Sequence, residues 1–514
     1  MSVQRYLRRN VYRWHRITSM IVVLPLLLWT ISGFLHPVMN NFKPDVRNQQ
    51  LPALSIDTSK IRLSPGEALS IHGIKMVKSM RIVKIYSAFY YQVKLPNADT
   101  LSYFSCYNAQ WLPRGDMQYA GNLAQRFLTE PNGKKEDGDH HGAIAANINE
   151  TAIAIQTAHT AKPNISEIEM ITGFNQEYKK SNRLLPVYKV SFDRGDGIRL
   201  YIATENDKLA AAVDDKKALF SIFFSLVHSW SFMDGTGIFK NIVLGILSLL
   251  CLASAFLGFY VYNLTGRKKT NAKAQPVKNR HRTLGNLFVL TTMLYAFSGA
   301  WHSLHKIGND KTEGMAVQNS FATSDLQLDK MSMTGHLQEG EKLSGVSIVS
   351  IKDNDYWQYS IQKGKEKFKR YIETKTGKTL KFGDQHYAAY LAAKFSGLPA
   401  EKISNIETIN AFNHHYSMMN KRLPVIEIGY SNGEDYYIET ATGRLSAIIN
   451  EKDRAERFSF SNFHMHHYWE MWLDKKYGKS VRNSVLIAST LGLLILAITG
   501  LMMYLRKKRA KIAG

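Results

Sequence analysis

The sequence contains only two cysteines, Cys106 and Cys251, in 514 residues. Cys251 falls within a long apolar run, whereas Cys106 falls in a polar region far from any such run. A membrane would therefore separate the two thiols, and we expect no disulfide between them. So low a cysteine content also excludes a small scaffold stapled by disulfides.

Several catalytic and nucleotide-binding motifs are absent as well. The sequence has no P-loop and no G-x-G-x-x-G after a strand pattern, which excludes a built-in flavin or nicotinamide domain. It has no H-E-x-x-H motif and no Ser/His/Asp or Cys/His arrangement, so neither a zinc protease nor a hydrolase is indicated. A C-x-x-C-H motif is also missing, which excludes the usual covalent attachment of c-type haem.

Acidic residues are missing from three segments that are rich in Lys and Arg: residues 1–16, 263–282 and 506–514. These segments hold 17 of the 66 basic residues and account for most of the net charge of +24. Each of them flanks an apolar run, and this bias marks the cytoplasmic side of a membrane protein. The charge therefore predicts an orientation with both termini in the cytoplasm, and no nucleic-acid partner.

Four apolar runs of about 18–21 residues, long enough to cross a bilayer, indicate a membrane protein in contact with lipid. The first follows a basic stretch but lacks a small-residue cleavage site, so we expect a retained anchor and not a signal peptide. The predicted boundaries are cytoplasmic segments at 1–16, 263–282 and 506–514, spans at 17–36, 238–262, 283–303 and 481–505, and extracytoplasmic domains at 37–237 and 304–480.

The chain repeats itself. Residues 15–36 match residues 281–302 at an offset of 266, with His-Arg at one end and Ser-Gly-x-x-His at the other. Residues 174–187 match residues 412–425 at an offset of 238, and Gly258 matches Gly500 at an offset of 242. We therefore predict two halves, each made of a span, an external domain and a span, related by an axis along the membrane normal.

The external segments have the pattern of α+β domains. Residues 356–362, 425–430 and 436–440 alternate apolar and polar side chains, as half-buried strands do. The Asn432-Gly433 pair between two of these stretches predicts a hairpin turn. Residues 386–395 have a helical pattern. The predicted fold is therefore a membrane α-helical bundle of four spans with two extracytoplasmic α+β domains.

An Ala-rich helix with a strand pair that ends in Glu-Thr-x-Thr-Gly, as at residues 373–377, resembles the PepSY module. Domains of this kind, flanked by spans with the His-Arg and Ser-Gly-x-x-His ends, resemble the PepSY-associated transmembrane family. This family includes haem-containing reductases of ferric siderophores in the bacterial inner membrane. The resemblance covers nearly the whole chain and implies a role in iron acquisition.

Four histidines lie at matching positions of the odd-numbered spans: His15 and His36, and His281 and His302. A separation of 21 residues corresponds to about 31 Å along a helix and leaves both rings within about 60° of one face. We expect His15 to face His281 on the inner side and His36 to face His302 on the outer side. Such pairs are suitable axial ligands for the iron of haem b, at about two haems per chain. A lone interfacial histidine is more often only an anchor.

Further histidines precede the even-numbered spans: His228 in the first half, and His464, His466 and His467 in the second. Spacing does not decide which of the three corresponds to His228. They are candidates for outer haem ligands, a third haem site or a substrate site. The alternative is an interfacial belt shared with the neighbouring tryptophans.

Three other features have both a functional and a structural interpretation. Trp29 and Tyr295 match at an offset of 266 and are candidates for an electron path, although a role as bulky packing residues is the simpler explanation. Residues 137–141 form a polar Asp/His loop that is a candidate metal site or simply solvated. The repeated motif that begins at Asn175 and Asn413 is expected to form a turn into a strand, or to contact an anion through the basic residues beside it.

These observations favour an enzyme, a ferric reductase that moves electrons outward to a ferric siderophore or another ferric chelate. The cytoplasmic segments are too short to hold a redox domain, so a separate cytoplasmic reductase or a membrane quinol would be the electron donor. Two other functions remain open. One is a non-enzymatic PepSY scaffold or protease regulator, and the other is a permease for iron or a siderophore.

Overall fold

The computed structural model describes residues 3–39, 42–130, 163–265, 276–307, 315–413, 415–417 and 422–512. The helices are α1 (Val3–Met39), α2 (Pro65–Ser70), α3 (Gly115–Thr129), α4 (Asp215–Val227), α5 (Ile238–Thr265), α6 (Pro276–Leu287), α7 (Val289–His305), α8 (Lys330–Gly335), α9 (Gly383–Ser396), α10 (Glu451–Ser459), α11 (Tyr468–Trp472) and α12 (Lys475–Ile512). A π-helical turn, Phe460–His464, follows α10.

The strands form three larger sheets and one short strand pair, β1 with β9. Their bounds are β1 (Met76–Val77), β2 (Ser79–Ile85), β3 (Ala88–Lys94), β4 (Leu101–Ser105), β5 (Ile165–Ile171), β6 (Val187–Phe192), β7 (Arg199–Ala203), β8 (Lys208–Val213), β9 (Phe321–Ala322), β10 (Glu341–Ile351), β11 (Asn354–Lys363), β12 (Glu366–Glu373), β13 (Thr379–Leu380), β14 (Ile403–Ile409), β15 (Val425–Tyr430), β16 (Asp435–Glu439) and β17 (Arg444–Ile449).

Three helices, α1, α5 and α12, are long and apolar enough to cross a membrane. The pair α6 and α7 makes a fourth candidate if it counts as one span, but it is bent by 62°. A continuous helix was expected over residues 283–303. The break falls at Phe288, whose ring lies so close to Gly492 of α12 that a Cβ there would be 2.2 Å from it. The bend in the span therefore lies at the residue whose ring packs against Gly492.

The helix bundle places α1 opposite the α6–α7 pair, because both pack mainly against α5 and α12. Small residues lie where the helices approach each other. A Cβ on Gly33 would lie 3.1 Å from the Thr490 side chain, and one on Gly299 would lie 3.5 Å from Ser248. Close packing through such residues is typical of helices in lipid. This arrangement points side chains of α1 and of the α6–α7 pair into a shared interior.

The two external segments are joined by one seven-stranded sheet, in the order β13-β12-β11-β10-β2-β3-β4. The join is the antiparallel pair β2–β10, in which Arg81 is the partner of Ser347. These residues are 266 positions apart, the offset that relates the repeated apolar segments. Residues 37–237 and 304–480 were predicted as two domains, yet they share this sheet because each covers the other's open strand edge.

Each half also has its own four-stranded sheet, β5–β8 or β14–β17. A buried glutamine ties the shared sheet to it. Gln92 donates to Tyr103 and to the Thr204 carbonyl, at 2.5 and 3.1 Å. Gln358 makes the equivalent contacts in the second half, where it donates to the Tyr371 hydroxyl at 2.6 Å and to the Thr440 carbonyl at 3.0 Å. The buried amides are thereby satisfied, which holds the two sheets of each half in a defined orientation.

The repeated motif forms a turn, as expected. Asn175 accepts from the Tyr178 backbone N–H at 2.7 Å, and Asn413 accepts from that of Tyr416 at 2.7 Å. Both tyrosine hydroxyls then donate to the backbone six residues further on. Arg422, a candidate anion contact, is instead paired with Glu439.

A buried ion network connects the halves at their outer domains. Glu439 is 1% exposed and pairs with Lys208 of the first half and with Arg422 of its own half. Burial opposes the ionisation of Glu439, but the two positive charges outweigh it and hold the pKa of this carboxyl below its usual range. The ionised form is therefore built into the folded state.

We predict that Glu439→Gln destabilises the protein by about 3–5 kcal/mol, because the buried Arg422 and the half-buried Lys208 lose their counter-charge. The contribution of Glu439 is present above about pH 4.3 and is lost as the pH falls, since the pKa is lower in the folded state than in the unfolded state. Thermal unfolding in detergent at several pH values measures both effects. Glu401→Gln, at an exposed position, is the matched control. Equal unfolding temperatures for the two variants would contradict the prediction.

Candidate cofactor site

His15 and His281 are held against neighbouring helices at the inner end of the bundle. The Nδ1 atom of His15 lies 3.0 Å from the Ser254 carbonyl oxygen of α5. That of His281 lies 3.2 Å from the Leu496 carbonyl oxygen of α12. A carbonyl only accepts, so each Nδ1 carries the proton and each Nε2 keeps a free lone pair. This tautomer is the one that binds a metal through Nε2.

Glycines make room for these two rings. A Cβ on Gly258 would lie 3.0 Å from Cε1 of His15, and a Cβ on Gly500 would lie 3.1 Å from Cε1 of His281. Both glycines lie four residues after the residue whose carbonyl accepts from the imidazole. The sequence match between Gly258 and Gly500 thus has a packing reason.

His228 and His464 approach each other at the outer end, with ring centroids 6.1 Å apart and ring planes at 82°. Their Nδ1 atoms lie 2.9 Å from the Ser32 hydroxyl and 3.1 Å from the Ser298 hydroxyl. Each serine hydroxyl donates a hydrogen bond to a backbone carbonyl of the preceding turn. The hydroxyls therefore accept from Nδ1–H, and again both Nε2 lone pairs are free.

Matching elements position these outer imidazoles. His228 ends α4 and stacks on Phe224 at 4.6 Å, while His464 ends the π-helical turn and stacks on Phe460 at 4.9 Å. Spacing alone left the counterpart of His228 undecided. These ring contacts show that His464, and not His467, is the counterpart of His228.

The outer pair is neutral in the folded protein. Burial lowers the pKa of His228 to about 4, and burial with the nearby His228 charge lowers that of His464 to about 3. Both rings therefore remain uncharged near neutral pH. A neutral imidazole with a free Nε2 is the form that a metal requires.

His36 and His302 lie at the same outer site but in different surroundings. The ring of His36 tilts against Phe224 at 5.6 Å, and that of His302 against Phe460 at 4.5 Å. The Nδ1 of His302 lies 2.5 Å from a carboxylate oxygen of Glu456. At the position in the first half that matches Glu456, the residue is Phe220. The two halves are therefore not equivalent here, a difference that the repeated span sequence does not reveal.

The remaining histidines have other partners. His467 lies 3.1 Å from Arg482 and 3.3 Å from Glu470, in an ion network at the start of α12. His466 is fully buried, and its Nε2 lies 2.8 Å from the Tyr295 hydroxyl. Burial lowers the pKa of His466 to about 4. Arg482 was missed in the sequence, although a basic residue just before an apolar run could have signalled it.

Trp29 and Tyr295 both contact the outer histidines. Trp29 donates to the His228 carbonyl at 3.1 Å, and the Tyr295 ring lies 5.5 Å from that of His464. A position part-way between the two ends was expected from helical spacing. Both rings instead lie against the outer site, because α4 and the π-helical turn bring their histidines to them.

The donor set fits haem better than a bare metal ion. No group of three or more His, Cys, Asp or Glu side chains suited to a metal ion occurs within the described ranges. Haem supplies four ligands of its own and needs two from the protein, which is what each pair of neutral imidazoles offers. The Asp/His loop at residues 137–141 lies outside the described residues.

Apolar helices long enough to span a membrane, together with α+β domains between them, define a membrane protein with large α+β domains. The sequence matches the PepSY-associated TM region over residues 122–507. The match covers most of the chain, which therefore belongs to the PepSY-associated transmembrane family, as its motifs predicted. A comparison with curated proteins found no match.

The glycine beside His15 generates a prediction. Gly→Ala in a helix normally stabilises by about 1 kcal/mol, as we expect for Gly285→Ala, where the new Cβ would be 3.6 Å from its nearest neighbour. Gly258→Ala loses this gain because its Cβ meets the His15 ring at 3.0 Å. Unfolding temperatures in detergent compare the two variants. An equal rise in both would contradict close packing at His15.

Proposed function

We propose that the protein is a four-span membrane electron-transfer protein, built from two duplicated halves, that binds haem b and reduces ferric chelates. The observation that carries the proposal is the repeated pairing of neutral histidines. Two pairs, one at each end of the bundle, have Nδ1 anchored by a neighbouring helix and Nε2 free. Bound haem would supply an iron that accepts and donates one electron at a time.

We assign His15 and His281 to the inner haem, and His228 and His464 to the outer haem. The first assignment agrees with the spacing of the repeated spans. The second is supported by the ring separation of 6.1 Å and by the matching serine anchors. His36 and His302 are the alternative outer ligands. We give them the role of shaping the site, since His228 and His464 have matching Nδ1 anchors, whereas Glu456, the Nδ1 partner of His302, has Phe220 as its counterpart.

Electrons would move outward in this proposal. The basic segments favour an orientation with both termini in the cytoplasm of a bacterium, and with the shared sheet and the outer histidines on the opposite side of its inner membrane. A cytoplasmic reductase or a membrane quinol would donate the electrons. The acceptor would be a ferric siderophore or a similar chelate, from which iron is released because Fe(II) binds hard oxygen ligands less tightly than Fe(III) does.

An absorption spectrum of the detergent-purified protein, oxidised and dithionite-reduced, tests the cofactor. We expect b-type bands and a pyridine haemochrome count of about two haems per chain. Addition of a ferric chelate should reoxidise the reduced protein. A colourless protein that takes up no added haem would exclude this proposal and favour a PepSY scaffold.

Four single substitutions test the outer ligands. We predict that His228→Ala and His464→Ala each reduce the haem count from about two to about one and abolish chelate reduction. His36→Ala and His302→Ala should keep both haems. His467→Ala is the matched control, because that ring is held by Arg482 and Glu470. Loss of haem from His36→Ala and His302→Ala, with retention in the other pair, would reverse the assignment.

A further inference from the structure

An open cleft in the first half has features that the haem site does not explain. It encloses about 420 Å³ beside the β2–β3 hairpin and the turn that follows β4. We call it the aromatic cleft. Its lining includes Lys60, Phe89, Tyr90, Tyr107, Asn108 and Trp111. This volume is within the usual range of small-molecule sites.

Two large aromatic side chains in this cleft are exposed. Trp111 is 50% exposed and Tyr107 is 57% exposed, so neither is placed there by burial in the core. Exposed aromatic faces of this kind offer stacking surfaces to a ring-bearing ligand. They lie on a turn and not on a flat sheet face, which lets them line a concavity.

The turn that carries them is preformed. The Ser105 hydroxyl accepts from the backbone N–H groups of Tyr107 and Asn108, at 3.2 and 3.4 Å. The Asn108 side chain accepts from Gln110 at 3.1 Å, and Trp111 is bridged to Phe104 of β4. The backbone that carries both rings is therefore already fixed, which reduces the entropy cost of binding.

The second half contains the same turn without the rings. Residues 103–115 match residues 371–383 at an offset of 268, and Tyr103 and Tyr371 are both fully buried. At the positions of Tyr107 and Trp111 the second half has Lys375 and Thr379. The turn therefore folds without aromatic residues. Their presence in one half needs a reason other than the fold.

The charge of the cleft favours an anionic ligand. Lys60 lines it, and the Arg62 guanidinium lies 5.8 Å from the centre of the Tyr107 ring. Among the described residues that line the cleft, none is acidic. The Asp57 carboxylate lies outside this lining; it accepts from the Ser59 hydroxyl at 2.6 Å, and its charge also acts on Lys60. Lys60 in the lining, with Arg62 stacked on one face of Tyr107, makes the site complementary to an anion that contains an aromatic ring.

We propose that the aromatic cleft binds an organic anion with an aromatic ring, stacked on Trp111 and Tyr107 and paired with Lys60. Two sources share this chemistry: a free aryl carboxylate, and a ferric chelate with aryl groups. The second source rests on the proposed reductase function, whereas the site itself does not. In that case the cleft is a capture site in the external domain, separate from the outer histidines.

Calorimetric titration of the full-length protein in detergent tests the site, with 2,3-dihydroxybenzoate and its ferric complex as probes. We expect saturable binding that Trp111→Thr weakens about tenfold, the loss of one aromatic contact. This variant introduces the residue that the second half has in the same turn, so the fold is retained. Tighter binding of the ferric complex would identify the chelate as the source, and tighter binding of the free acid would identify the aryl anion.

Two controls make the result specific. Lys60→Gln should weaken binding of the benzoate several-fold but leave binding of neutral catechol unchanged. Phe382→Ala removes an exposed ring from the matching turn of the second half and should have no effect. Absence of saturable binding to the wild-type protein, or equal loss in Trp111→Thr and Phe382→Ala, would overturn the proposal. Neither result depends on electron transfer, so the haem assignment is tested separately.

Discussion

A histidine buried among apolar helices must find its hydrogen-bond partners within the protein, because lipid offers none. In this bundle the partners are two backbone carbonyls at the inner end and two serine hydroxyls at the outer end. All four accept a hydrogen bond from Nδ1–H, so all four rings present Nε2 lone pairs. The positions of Gly258 and Gly500 follow from the same requirement, since a ring can reach a helix carbonyl only where the helix surface is open.

The positions of the outer histidines depend on the α+β domains as much as on the helices. Pairing of β2 with β10 places the strands of both halves in one sheet, and the buried network around Glu439 connects the halves a second time. Helix α4 and the π-helical turn then lead from these domains to the membrane and carry His228 and His464. The 6.1 Å contact between those rings thus depends on how the two halves are joined outside the bundle.

Matching sequence positions agree in the framework of this chain and differ at the places where chemistry is expected. The anchors of the four histidines match, as do the buried glutamines and the turn motifs. Glu456 has Phe220 as its counterpart, and the exposed rings of the aromatic cleft have Lys375 and Thr379. Framework residues are constrained in both halves by burial and hydrogen bonding. Surface and site residues are free to differ, so one half can acquire a role that the other lacks.

The sequence by itself determined the apolar helices, the repeat, the strand pairs of the second half, the family and the matched positions of His15 and His281, because these depend on local composition and on constant offsets. It did not determine the bend at Phe288, the sheet shared by the halves or the partner of His228. Those depend on contacts between residues more than 150 positions apart, such as Phe288 with Gly492 and Arg81 with Ser347. Spacing along a helix could not place Trp29 and Tyr295 against the outer histidines either. Their neighbours come from α4 and the π-helical turn, and only the tertiary structure brings those segments back onto the spans.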